Sequence, residues 1–118
     1  MTHAPAQINA HQIALFLDLL HRLQKVDAEF PIQYAICLMH IYQNEGCTIS
    51  SLAEQAGLAL STVSRIVGAL STTRQYGEAF GFIEVHQSKS DSRKKEIFLT
   101  DKGRATIQDF VAPLATVL

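Results

Sequence analysis

The sequence predicts a mainly α fold with one small β-hairpin. Three observations carry that expectation. Apolar residues recur at helical spacing in most of the chain. Only two stretches, Phe82-Ile83-Glu84-Val85-His86 and Glu96-Ile97-Phe98-Leu99, have strand composition, and polar, turn-forming residues from Gln87 to Arg93 lie between them. The chain of 118 residues is 47% hydrophobic and 18% charged, which suits one domain and is too apolar for disorder.

In chain order, Ile8 to about Val26 reads as a helix. Ile8, Leu15, Leu19, Leu23 and Val26 share one face, Phe16 and Leu20 widen it, and polar Gln12 interrupts it. Pro31 suits the first turn of a second helix, where its missing N–H costs nothing, and Gly46 stops that helix after about Asn44. Tyr34, Leu38, Ile41 and Tyr42 would line its buried side. A short third helix from about Ile49 to Ala56 is capped by Thr48, and Gly57 supplies a turn with positive φ. Ser61 would cap a fourth helix, from Thr62 to at least Ser71, with Val63, Ile66, Val67 and Leu70 as its apolar face. After the hairpin, Thr100 caps a last helix from Asp101 to about Ala112, where Pro113 disfavours continuation.

Composition excludes several function classes. The longest apolar run, Tyr34 to Met39, is far too short to span a membrane, and the N-terminus carries no secretory signal pattern. Two cysteines are too few for a disulfide scaffold or a four-cysteine zinc site, so a cytoplasmic protein is expected. The formal net charge of −1 hides an asymmetry: residues 1–60 carry two bases and five acids, residues 61–118 eight bases and six acids. Lys89, Arg93, Lys94 and Lys95 form a cluster broken only by Asp91, which suggests one local cationic surface.

The stretch from Leu52 to Ile66 matches a helix-turn-helix. Ala53 is small where the second helix crosses the first, Gly57 makes the turn, and Val63 and Ile66 pin the second helix to the core. Its opposite face, Ser61, Thr62, Arg65 and Gly68 to Ala69, is expected to stay exposed. Small polar residues let such a helix sit deep in a DNA major groove, and Arg65 can bind guanine or clamp a phosphate.

Together with the hairpin, these residues resemble the MarR family of winged-helix regulators, from about Pro31 to Gly103. The resemblance is carried by Asp91-Ser92-Arg93, then the apolar strand and Leu99-Thr100-Asp101-Lys102-Gly103, by Leu52-Ala53 with Ser61 to Arg65, and by Gly81-Phe82-Ile83. It implies a winged helix-turn-helix fold with N- and C-terminal dimerisation helices. The whole chain, 1–118, would form one such domain, with 31–100 as the DNA-binding lobe and 1–30 and 101–118 as dimerisation elements. It further implies a sequence-specific binder of double-stranded DNA, a repressor acting as a homodimer on a palindromic site. The recognition helix would enter the major groove through Ser61, Thr62, Ser64 and Arg65. The wing arginine, Arg93, would reach the minor groove, oriented by Asp91, with Lys89 and Lys94 adding positive charge. Arginine suits a narrow minor groove because negative potential is concentrated there.

Two departures from the family stand out. The connection between Leu70 and Gly81 is long, which leaves the helix-to-wing geometry open, and Arg74 within it could meet a phosphate or solvent. The segment after Pro113 is short, yet its Leu114, Val117 and Leu118 are too apolar for a frayed end. Leu15, Leu19, Phe110, Leu114 and Leu118 are the expected dimer interface. A small-molecule effector could lie near Phe16, Leu20, Tyr34 and Phe110, although nothing in the sequence identifies one. No cofactor or metal is expected: His11 and His21 would stand about 15 Å apart on a helix, too far to share an ion. Cys37 is expected as a core filler, and Cys47 has no adjacent base to make it a redox sensor. No nucleophile–base pair or phosphate loop suggests an enzyme. The rival reading is a winged-helix accessory module that binds protein, which an apolar recognition face would favour.

Overall fold

The computed structural model describes residues 7–71 and 79–117. Arg74 and most of the long connection, together with Leu118, lie outside the described residues. The elements are α1 (Ala10–Val26), α2 (Ile32–Gln43), β1 (Cys47–Thr48), α3 (Ile49–Ala56), α4 (Leu60–Leu70), β2 (Ile83–Gln87), β3 (Lys95–Leu99), α5 (Asp101–Val111) and a 3-10 helix (Ala112–Val117).

The residues fall into two compact units. Pro31–Ile107 forms one, and the described residues up to Phe30 form the other with those from Gln108 onwards. In the larger unit, α2, α3 and α4 surround a core of Leu38, Ile41, Leu52, Val63, Ile66 and Leu70, all buried, closed by Phe82, Ile83 and Ile97 from the sheet. The sheet is antiparallel in the order β1-β3-β2. Val85 pairs with Ile97 and His86 with Glu96, and the two-residue β1 adds Cys47 opposite Ile97 on the other edge. That third strand is too short to leave a period in the sequence.

Local chemistry sets most helix ends. The Asn9 side chain caps α1, so Ile8 lies before the helix and not in its first turn. Pro31 is the N-cap of α2 and not a first-turn residue. Thr48 caps α3 through the Ser51 N–H (3.1 Å), and Gly57 closes it at φ 68°. Thr100 does the same for α5, accepting from the Gly103 N–H at 3.0 Å. The α4 start differs from the sequence reading: its N-cap is Ala59, without a side-chain bond, and Ser61 lies inside the first turn. A serine is a good cap, but the register that buries Val63 and Ile66 places the helix start two residues earlier. The helix also ends at Leu70, before Ser71. Tyr42 is exposed, and Cys37 takes its expected place in the α2 core.

The ends of the long connection meet. Gly81 donates its N–H to Ser71 O (3.0 Å), Phe82 to Leu70 O (2.8 Å) and Phe80 to Ala69 O (3.3 Å). The described residues therefore fix the passage from α4 to β2 whatever lies between. Phe80 stacks on Phe82, with ring centroids 5.4 Å apart, and meets Tyr34 edge-on. In the smaller unit, Arg22 bonds Asp18 one turn back and reaches both the side chain (2.7 Å) and backbone carbonyl (3.1 Å) of Asp109. Phe30 packs on Phe110, with centroids 6.0 Å apart.

Candidate nucleic-acid interface

The helix-turn-helix is built as its residue sizes require. Ala53 is buried on α3, and Leu58 donates its N–H to the Ala53 carbonyl at 3.1 Å, which turns the chain towards α4. On α4, Val63, Ile66, Val67 and Leu70 point into the core. Ser61, Ser64, Arg65 and Gly68 face solvent, and Thr62 is half-buried. Ala69, expected on the exposed face, is buried instead, because it stands next to Leu70 under the returning Phe80 backbone.

The hairpin loop is closed by a bond from the Ser88 N–H to Lys94 O at 2.9 Å. The buried Ser88 hydroxyl organises the turn. It lies 3.0 Å from the Ser90 hydroxyl and accepts from the Ser90 and Asp91 N–H groups. Asp91 Oδ1 then accepts from the Arg93 N–H (3.0 Å) and from Arg93 Nε (3.2 Å). These bonds, with Lys94 nearby, hold the Asp91 carboxyl below its usual pKa, so it stays ionised. Arg93 is 89% exposed despite this bond, and its guanidinium is offered to solvent with one edge tethered. Lys89 and Lys94 are exposed on the same loop.

Arg93, Lys94 and Lys95 line a cleft of about 440 Å³ with Thr48, Ile49 and Ser50 at the start of α3. Lys95 and Ser50 were not singled out for binding from the sequence. The basic cluster signalled Lys95, but only the antiparallel pairing of β1 with β3 brings it beside α3.

The expected dimer residues are distributed differently. Leu15 and Leu19 are half-buried on α1, and Leu114 is exposed. Phe110 is buried within the single chain, so it serves the core of its own subunit and not an interface. Leu118 lies outside the described residues. Of the aromatic and apolar residues expected near an effector, Phe16, Leu20 and Phe110 belong to the smaller unit and Tyr34 to the larger. Burial raises the pKa of both thiols, and Cys47 adds to the effect at Cys37, a shift that disfavours the reactive thiolate. Among the described residues no three His, Cys, Asp or Glu side chains gather to hold a metal, and no helix is long and apolar enough to cross a membrane.

The chain is similar in structure to S. aureus MepR in complex with DNA (18% identity, TM-score 0.74), over 90% of this chain and 80% of that one. It is also similar to the transcriptional repressor CouR bound to a 23-mer DNA duplex (30% identity, TM-score 0.65), over 89% and 68%. A third likeness is to Bordetella bronchiseptica BpsR, whose DNA binding is regulated by 6-hydroxynicotinic acid (17% identity, TM-score 0.62), over 90% and 76%. No curated protein sequence matches the chain. The sequence pattern of the MarR family matches residues 33–95, more than half of the chain and the stretch that holds both the helix-turn-helix and the wing loop. The chain belongs to the MarR family.

Proposed function

We propose that this protein is a homodimeric transcription regulator, a repressor, that binds a palindromic double-stranded DNA site with α4 in the major groove and the wing in the neighbouring minor groove. One observation carries the reading: a single compact unit presents both a polar, small-residue face on α4 and a tethered, solvent-facing Arg93 on the wing. Ser61, Thr62, Ser64 and Arg65 meet base edges or phosphates, and Arg93, held by Asp91, enters the minor groove. Lys89 and Lys94 bind phosphates, and Lys95 joins them from the cleft beside α3. The polar residues of the α4 face, Ser61, Ser64 and Arg65, favour DNA over a protein partner.

The dimer uses α1 and the C-terminal segment. No residue of α1 is fully buried within the chain, and Phe16 is 60% exposed. A second copy is the cover that symmetry supplies, with Leu15, Leu19, Leu114 and Leu118 in or beside the contact. Residues 31–100 then act as the DNA-binding lobe and the two ends as dimerisation elements. Two recognition helices about 34 Å apart read successive turns of one DNA face. The role is non-catalytic and cytoplasmic, and an aromatic acid of the kind that regulates BpsR is one class of effector to screen.

Selection of bound sequences from random duplexes tests the reading. A palindromic consensus is expected, and failure to enrich any sequence would overturn it.

A further inference from the structure

We infer that Leu60 is a specificity residue that reads the 5-methyl group of a thymine in each half-site. The inference rests on the DNA-binding reading above. Leu60 is the first residue of α4 and is 55% exposed, whereas Val63, Ile66, Val67 and Leu70 on the same helix are buried. It neither caps α4 nor belongs to the buried core. The cap position belongs to Ala59. The apolar residue just before a cap can pack on the fourth helical residue, and here those places fall to Leu58 and Val63. Leu60 lies one turn before Ser64 and beside Ser61, so it shares the exposed face that also bears Arg65. An apolar side chain among these polar neighbours leaves hydrocarbon in water unless a ligand covers it.

In the major groove, the thymine methyl is the apolar group a base pair presents, and recognition helices reach base edges with their N-terminal residues. Leu60 occupies that end of α4. Arg65, more than a turn further along, is left to read guanine or hold a phosphate. The two side chains therefore divide one half-site into an apolar contact and a charged one.

The test replaces thymine by deoxyuridine, which removes the methyl and leaves base pairing intact. Duplexes carrying the consensus obtained by selection would be substituted one thymine position at a time in both half-sites. Binding would be measured by fluorescence anisotropy for the parent and for Leu60→Ala. One position should weaken parent binding about fourfold per half-site, and about fifteenfold with both replaced, the size expected for one buried methyl. Leu60→Ala should bind the thymine and deoxyuridine duplexes equally. An exposed leucine-to-alanine change in a helix preserves the fold, which an unchanged melting temperature would verify. The inference is overturned if no position is sensitive to the methyl, if the consensus half-site has no thymine, or if Leu60→Ala keeps the full sensitivity. A chain that enriches no sequence at all fails at the selection step, and that result counts against the DNA-binding reading itself.

Discussion

Gly103 shows how a single missing side chain can hold two elements together. A Cβ at this position would overlap the Phe82 carbonyl oxygen, the same oxygen that accepts the Thr100 N–H at 3.0 Å. Thr100 adds a bond from its hydroxyl to Gly81 O at 2.7 Å. Gly103→Ala is expected to destabilise the protein by about 1–3 kcal/mol, as overpacking against backbone does; chemical denaturation would measure it. Asp91→Ala has a different expected outcome. It removes the tether on Arg93 from the wing loop, so DNA binding should weaken while the melting temperature falls by no more than about five degrees, because an ion pair with an exposed partner contributes little to stability. Thr48, Gly57 and Thr100 were legible in the sequence because capping and positive-φ turns depend on neighbours in the chain. The Gly103 contact was legible only as a motif, since its cause is backbone brought close by the fold. The Ser61 cap was misread because tertiary register outweighed a local preference.

Among the elements, the turn after α2 meets β3 and α5 through Glu45. Its carboxylate accepts from the Leu99 N–H at 3.0 Å and from the Arg104 guanidinium. Desolvation pushes the Glu45 pKa up, but the Arg104 and Leu99 bonds outweigh it, and the net value is lowered. A lowered folded-state value stabilises the fold above the ordinary glutamate pKa. That contribution is lost as pH falls through the folded value. Glu45→Gln should therefore cost under about 1 kcal/mol at pH 7, given the partial exposure of both partners, and the difference from the parent should vanish towards pH 3. Melting curves across that range would check it. Neither residue was marked by the sequence, because they are 59 positions apart. The hairpin itself was legible from alternation and turn residues. The β1 edge was not, since two residues carry no period. The long connection posed the opposite problem: its length suggested altered geometry, yet Ser71 and Gly81 bond directly and return the chain to the same point.

For the whole molecule, the acidic excess of residues 1–60 and the basic excess of residues 61–118 do not follow the unit boundary, since Glu45 and Glu54 lie in the same compact unit as the wing. The cations gather on the wing, where phosphates would lie, and the net charge of −1 says little about binding. A dimer that neutralises about four to eight phosphates should show a slope of log affinity against log salt of about −4 to −7. Phe16→Glu places a charge on the exposed α1 face and should yield a monomer by analytical ultracentrifugation, with that slope roughly halved. The dimer follows mainly from the family resemblance, with apolar residues at both ends of the chain as its expected contact, and here sequence alone could not separate core from interface: Phe110 carries the same periodic signal as Leu114 but is buried within its own chain. The most direct measurement is the affinity of Arg65→Ala and Arg93→Ala for the selected duplex, beside their melting temperatures. Each variant should bind at least about tenfold more weakly while melting like the parent, the loss expected for a groove or phosphate contact. Parent-like binding by both would contradict the assignment of α4 and the wing as the surface that grips DNA.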